Sequence, residues 1–218
     1  MSANSYTIES LKRFPATLGR GIGQVMFQDN ILTGFIFLIG IFWGAYEEGI
    51  GIVAWGALVG VLASTLTGYI LHLPDIRGAQ GLWGFNGVLV GCAFPTFLGN
   101  TLWMWLALIL CSAMTTWVRT GMDNILSRWK ISSLTFPFVL STWVFLLAAR
   151  LFHGMPPVNM GTPEFAVGAN EALDLTFGGI VVYWLKGISQ VFLINSWVTG
   201  IFFLVALAVS NWRAAIWA

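Results

Sequence analysis

Six apolar runs, separated by short polar breaks, leave this chain few ways to fold. They cover roughly residues 31–46, 51–71, 81–97, 102–118, 134–152 and 198–210. A helix needs about 20 residues to cross the hydrocarbon of a bilayer. In lipid, every backbone N–H and C=O must be satisfied by the segment itself, which favours helices over open sheets. Across all 218 residues the chain is 57% hydrophobic and only 9% charged, where soluble domains carry about 25% charged residues. The expected fold class is therefore an all-α polytopic membrane protein. The first and last runs are short and need flanking residues to span. A net charge of +1 offers no basic surface, so nucleic acid is not an expected partner, and membrane lipid is. Cys92 and Cys111 lie in apolar stretches without CxxC spacing and read as buried, inert thiols. The N-terminus has no compact apolar core followed by a small-residue cleavage site, so no signal peptide is expected.

Lys and Arg in the breaks set the orientation. Lys12, Arg13 and Arg20 place the N-terminus in the cytoplasm, and Arg77 falls on the same side two spans later. The basic break with Arg119, Arg128 and Lys130 is again inside only if the run at 81–97 crosses, glycines included. The acidic break with Glu164, Glu171 and Asp174 then lies outside and Arg213 inside.

The chain also contains a copy of part of itself. "GIGQVMFQDNILTGFIFL" at 21–38 aligns with "GISQVFLINSWVTGIFFL" at 187–204, with 8 identities in 18 positions. Generic apolar similarity does not produce the shared Gln-Val and Thr-Gly pairs. Five spans lie between the copies, so the second enters from the opposite side. Inverted repeats of this kind are typical of transport folds, with the pathway at the repeat interface. Each copy opens on a short amphipathic stretch, 14–27 and 177–193, read as a re-entrant half-helix rather than one lying on the membrane surface. The expected organisation is a cytoplasmic segment over 1–13 and a first repeat over 14–152, with a half-helix and five transmembrane helices. An extracytoplasmic loop over 153–176 comes next, then the start of a second inverted repeat over 177–218, with a half-helix and one span. That second repeat is read as incomplete, and the 218-residue chain is expected to insert without selective flux of its own.

Together, "GQVMFQDNILTG", "GLWGFNGVLVG" and "LTFPFVLSTW" resemble the bacterial urea transporter family, over nearly all of the chain from Arg20 onward. The resemblance implies an inverted-repeat channel fold with re-entrant half-helices. It implies passive, channel-like movement of urea across the bacterial inner membrane, a homotrimer with one pore per protomer, and no cofactor. Carried over by position, it implies that Gln24 and Phe27 line the pore at the end of the first half-helix. Phe85 and Leu89 form a flat slot, and Thr135 supplies a hydroxyl in mid-filter. In the second copy Gln190 stands where Gln24 stands, at a place where the family often has an acidic residue, and Leu193 stands where Phe27 stands.

These residue types suit urea. It is flat, neutral and rich in hydrogen-bonding groups, and stripping its water without replacement costs several kcal/mol, ~2–7 for one such group. Apolar walls admit a planar solute while oxygens along the edge accept from its NH₂ groups. Phe85 and Leu89 are four residues apart and share a helix face. Asn86 is read as satisfying neighbouring groups rather than touching the solute. Gly81, Gly84, Gly87 and Gly91 let other helices come close. Taken alone, the Phe/Leu pair would be core or lipid contact, Gln24 interhelical glue, and Thr135 bonded back to its own helix.

Rival functions are weighed on the same residues. An ammonia conductor calls for histidines within spans, but His72 and His153 sit at span ends, and an aquaporin-type channel calls for Asn-Pro-Ala motifs, which are missing. An enzyme calls for a nucleophile–base pair or a metal cluster at membrane depth, and none is legible. A channel for another small neutral solute or ammonia, and a non-conducting truncated remnant, stay open as alternatives.

Overall fold

The computed structural model describes residues 3–73, 77–158 and 174–218, with side chains from Arg13 onward. Glu164, Glu171 and most of the expected loop 153–176 lie outside the described residues. Eight α-helices follow in order: α1 (Ala3–Gly23), α2 (Ile31–Glu47), α3 (Ile52–Ile70), α4 (Phe85–Phe97), α5 (Leu102–Leu126), α6 (Phe136–Ala149), α7 (Phe177–Ser189) and α8 (Trp197–Trp217). No β-strand occurs among the described residues. By length and composition α3, α5 and α8 can each cross a membrane, and the α1–α2 pair makes a fourth if counted as one bent span. Large apolar side chains face outward along these helices; Phe35, Ile39 and Trp43 on α2 are about half exposed. A water-soluble surface avoids such a stripe, and a lipid-facing one requires it.

Two expected spans resolve into shorter helices. The run at 81–97 begins as turns, and α4 starts only at Phe85. The cause is Gly81, which holds a left-handed φ of 97° that a helix cannot propagate. The run at 134–152 begins with Leu134 at φ 49°, and Pro137 opens α6, as proline does in a first turn. At 1.5 Å per residue, α4 and α6 are each about 20 Å long, short of the ~30 Å hydrocarbon. At the N-terminus the helix runs unbroken from Ala3, so the boundary expected at Phe14 falls inside α1.

Local sequence explains most helix starts. Asn30 Oδ1 accepts from the N–H groups of Leu32 (2.9 Å) and Thr33 (3.2 Å) at the head of α2. Thr101, Thr176 and Ser196 cap α5, α7 and α8 in the same manner, each satisfying an orphan donor of the first turn. Thr135 makes no such bond at the head of α6.

The tightest packing is between α3 and α4. A Cβ on Gly56 or Gly60 would strike the carbonyls of Gly91 and Gly87, and one on Gly87 or Gly91 would strike α3 in return. Small residues four apart on both helices thus bring the backbones together, as in membrane interfaces generally. This close approach is the role expected for the glycines after Phe85. It buries α4 almost completely, from Phe85 to Phe94.

The two sequence copies share one local structure. α1 passes into a 3-10 turn at Gln24–Met26 and α7 into one at Gln190–Phe192. The next residue is left-handed in both, Phe27 at φ 61° and Leu193 at φ 60°. After Phe27 the chain turns by 73° into α2. Gly34 lets α2 cross the Gly19 carbonyl, and Gly200 lets α8 cross the Leu185 carbonyl. The partner threonines bond reciprocally: Thr33 Oγ1 donates to the Ala206 carbonyl, and Thr199 Oγ1 to the Gly40 carbonyl, both at 2.9 Å. Phe37 and Phe203 meet between them, ring centroids 4.9 Å apart. Early α2 thus faces late α8 and the reverse, an antiparallel pair in which each Thr-Gly of the sequence motif has a structural task.

Candidate functional site

A cavity of about 320 Å³ opens where four helix ends meet. The C-terminal ends of α1 and α5 contribute Gln24, Phe27, Arg119 and Asp123; the residues around the N-terminal ends of α4 and α6 contribute Phe85, Ser132 and Leu134. Asp29, Arg77, Gln80 and Leu82 complete its wall. C-terminal helix ends present carbonyl oxygens and N-terminal ends present N–H groups, so the arrangement offers acceptors and donors to one neutral solute.

Gln24 donates from Nε2 to the Gln80 carbonyl at 3.1 Å. That bond fixes the amide, so the group it offers a solute is its carbonyl oxygen. Phe27 stands at the mouth, 70% exposed, held out by its left-handed backbone. Phe85, the first residue of α4, is 6% exposed and forms part of the wall. Leu89 is one turn further along the same face, buried in the core cluster shared with Phe85 and Val25, and does not touch the cavity. Thr135 is half-buried beside Leu134; Ser132 and Leu134 of that turn line the cavity, and Thr135 does not. Gln190 and Leu193 belong to the second turn and do not line it. Gln190 Nε2 donates to Asn195 Oδ1 at 3.4 Å, and Leu193 packs against the same core cluster as Phe85.

Asn86 is 1% exposed and bridges two helices. Its Nδ2 donates to the Leu134 carbonyl at 3.4 Å, and its Oδ1 accepts from the Phe138 N–H at 3.3 Å. Phe138 lies in the first turn of α6, so Asn86 supplies from α4 the cap that Thr135 does not.

Arg119 and Asp123 were not among the expected site residues. The apolar run ends at Val118, and the positive-inside count treats the residues beyond it as a loop. α5 instead continues to Leu126, and Arg119, only 4% exposed, pairs with Asp123 at 3.0 Å. The available signal was the four-residue Arg–Asp spacing, which places both on one helix face. A second ion pair, Arg20–Asp29 at 3.3 Å, ties α1 to the turn that follows it. Cys92 and Cys111 are both buried and unpaired. Among the described residues no group of His, Cys, Asp and Glu is arranged to hold a metal ion.

Residues 16–218 match the family model described as "Urea transporter". Among curated proteins, the chain is 28% identical over 200 residues to Urea transporter 1 of Ovis aries, and 28% identical over 199 residues to Urea transporter 1 of Mus musculus. Each alignment covers 88% of this chain and 50% of the relative, so the chain spans about half the length of the curated relatives it matches. With nearly the whole chain matched by the family model, and an all-helical membrane architecture around a cavity walled by Gln24, Phe27 and Phe85, the chain belongs to the urea transporter family.

Proposed function

We propose that this chain forms one side of a passive urea pathway in the bacterial inner membrane, with its N-terminus in the cytoplasm and its protein assembled as a homotrimer. The observation that carries the reading is the convergence of Gln24, Phe27 and Phe85 on one cavity in a member of this family. The relatives' name supplies the substrate, and the chemistry of the cavity agrees with it. Phe85 gives a flat apolar wall for a planar solute. The Gln24 carbonyl and the backbone carbonyls at the end of α1 accept from NH₂ groups, while the N-terminal ends of α4 and α6 face a carbonyl oxygen favourably. The cavity wall carries two arginines and two aspartates, so its formal charge balances, which suits a neutral solute.

The shared local structure of the two copies, and their reciprocal threonine bonds, support an inverted repeat whose second turn, with Gln190 and Leu193, serves the opposite mouth. In this reading α1 and α7 are re-entrant half-helices. Leu89 and Thr135 act deeper in the passage than the open cavity.

Urea and glycerol permeabilities of proteoliposomes containing the whole gene product, with and without Phe85→Ala, test this. Removing the wall lowers the urea-to-glycerol ratio. An unchanged ratio with intact urea flux removes Phe85 from the pathway.

A further inference from the structure

Arg119 and Asp123 are charged groups that an apolar bundle does not need for its packing. A buried ion pair can often be replaced by apolar residues without loss, and Arg119 is only 4% exposed, so the pair invites a functional reading. This pair has a third member. While Asp123 Oδ2 faces Arg119 Nη2 at 3.0 Å, Asp123 Oδ1 accepts the Ser133 N–H at 2.8 Å. That bond crosses the turn joining α5 to α6. The next residue, Leu134, has the left-handed φ of 49° that a branched side chain rarely adopts, and it lines the cavity. Its carbonyl is in turn held by Asn86 Nδ2. Leu134 and Thr135 are thus gripped from one side by α5 and from the other by α4.

We propose that Asp123, oriented by Arg119, is a positioning residue for solute selection. Through the Ser133 N–H it fixes the 131–135 turn, and with it Leu134 and Thr135, at the separation from Phe85 that a planar solute requires. This rests on the urea pathway proposed above. Arg119 has two tasks in it: it balances the half-buried carboxylate, and it holds the carboxylate so that the second oxygen points at the turn. A charge-assisted bond to a backbone N–H is short and directional, which suits a turn whose backbone is itself strained.

The experiment separates the grip from the flux. Amide hydrogen exchange over 131–136 and the urea-to-methylurea permeability ratio are measured on the whole gene product in nanodiscs and liposomes. The variants are Asp123→Ala, Asp123→Asn and the charge exchange Arg119→Asp/Asp123→Arg, each checked for monodispersity. Asp123→Ala raises exchange of the segment by about tenfold to a hundredfold, the range expected for one lost hydrogen bond to a charged group, and the permeability ratio falls toward one. Asp123→Asn, which keeps an acceptor of the same shape, loses less of both. The charge exchange restores an ion pair but puts a pure donor at 123, so it behaves as Asp123→Ala. Recovery of normal exchange and selectivity by the charge exchange overturns the proposal in favour of a plain ion pair. Unchanged exchange in Asp123→Ala overturns it outright; where Asp123→Ala is not monodisperse the charge exchange takes its place, and unchanged exchange there overturns it. Absence of urea flux in the unsubstituted protein counts against the pathway instead, and the exchange arm still decides whether Asp123 holds the turn.

Discussion

Asn86→Ala is the substitution whose effect can be worked most directly from the structure. Four of the helices that follow turns carry their own side-chain cap, whereas α6 borrows one from α4 through Asn86. The substitution removes two hydrogen bonds, at 3.4 and 3.3 Å, from a residue 1% exposed. Each is worth about 0.5–1.5 kcal/mol net, and interhelical bonds in membranes average ~0.6. The long distances favour the lower values, and the deleted volume adds a cavity term. The sum is about 1–3 kcal/mol. Asn30→Ala is the matched control: it removes a local cap, costs about 1 kcal/mol and leaves α6 alone. Reversible denaturation in mixed micelles gives the two stabilities, and hydrogen exchange over 134–140 gives the location. The expected result is a larger loss for Asn86→Ala, with faster exchange at the head of α6. A loss below about 0.3 kcal/mol, or exchange at α6 unchanged, would refute the bridging role, because two bonds that hold the head of α6 cannot be removed without a cost there.

Gly60→Leu pushes α3 from α4 at their closest approach, where even a Cβ has no room; overpacking typically costs about 1–3 kcal/mol, and backbone contact puts this case at or above the upper end, read as a loss of folded yield or a matching fall in denaturation midpoint. Cys92 and Cys111 are both fully buried, so a maleimide added to the folded protein labels neither and labels both after unfolding; rapid labelling in the native state contradicts the packing of α4 against α5. Thr33→Val and Thr199→Val each delete one of two equivalent bonds between α2 and α8. The two losses in stability are expected to agree within about 0.5 kcal/mol, and a large difference measured by the same denaturation counts against the reciprocal geometry.

Much of this architecture is legible in the sequence because the forces that set it are local. The apolar runs point to α2, α3, α5 and α8 through length and composition alone. The Gln-Val and Thr-Gly pairs mark the two equivalent turns, since a left-handed residue after a 3-10 turn and a close crossing at glycine recur with the motif. Asn86 is legible as a satisfier of neighbouring groups, though the sequence does not say that the neighbours belong to α6. The shortness of α4 and α6 is hidden. An apolar run reports what tolerates lipid, and only Gly81 and Leu134, through their backbone conformations, decide where the helix begins. The Arg119–Asp123 pair is hidden for a different reason. Charge after an apolar run looks like a loop until tertiary packing buries one face of the helix that carries it. Leu89 and Thr135 show the limit for the site: neither lines the open cavity, and their distance from it depends on how α4 and α6 are sunk among the others.

Urea flux across proteoliposomes containing the whole gene product, followed by stopped-flow light scattering with and without an imposed proton gradient, decides whether the pathway is passive. Saturable urea flux well above that of empty vesicles is expected, running only down the urea gradient and indifferent to protons, because a neutral solute moving down its own gradient needs no coupled ion. Proton-driven accumulation of urea against its gradient, or permeability no greater than bare lipid, would contradict a passive urea pathway.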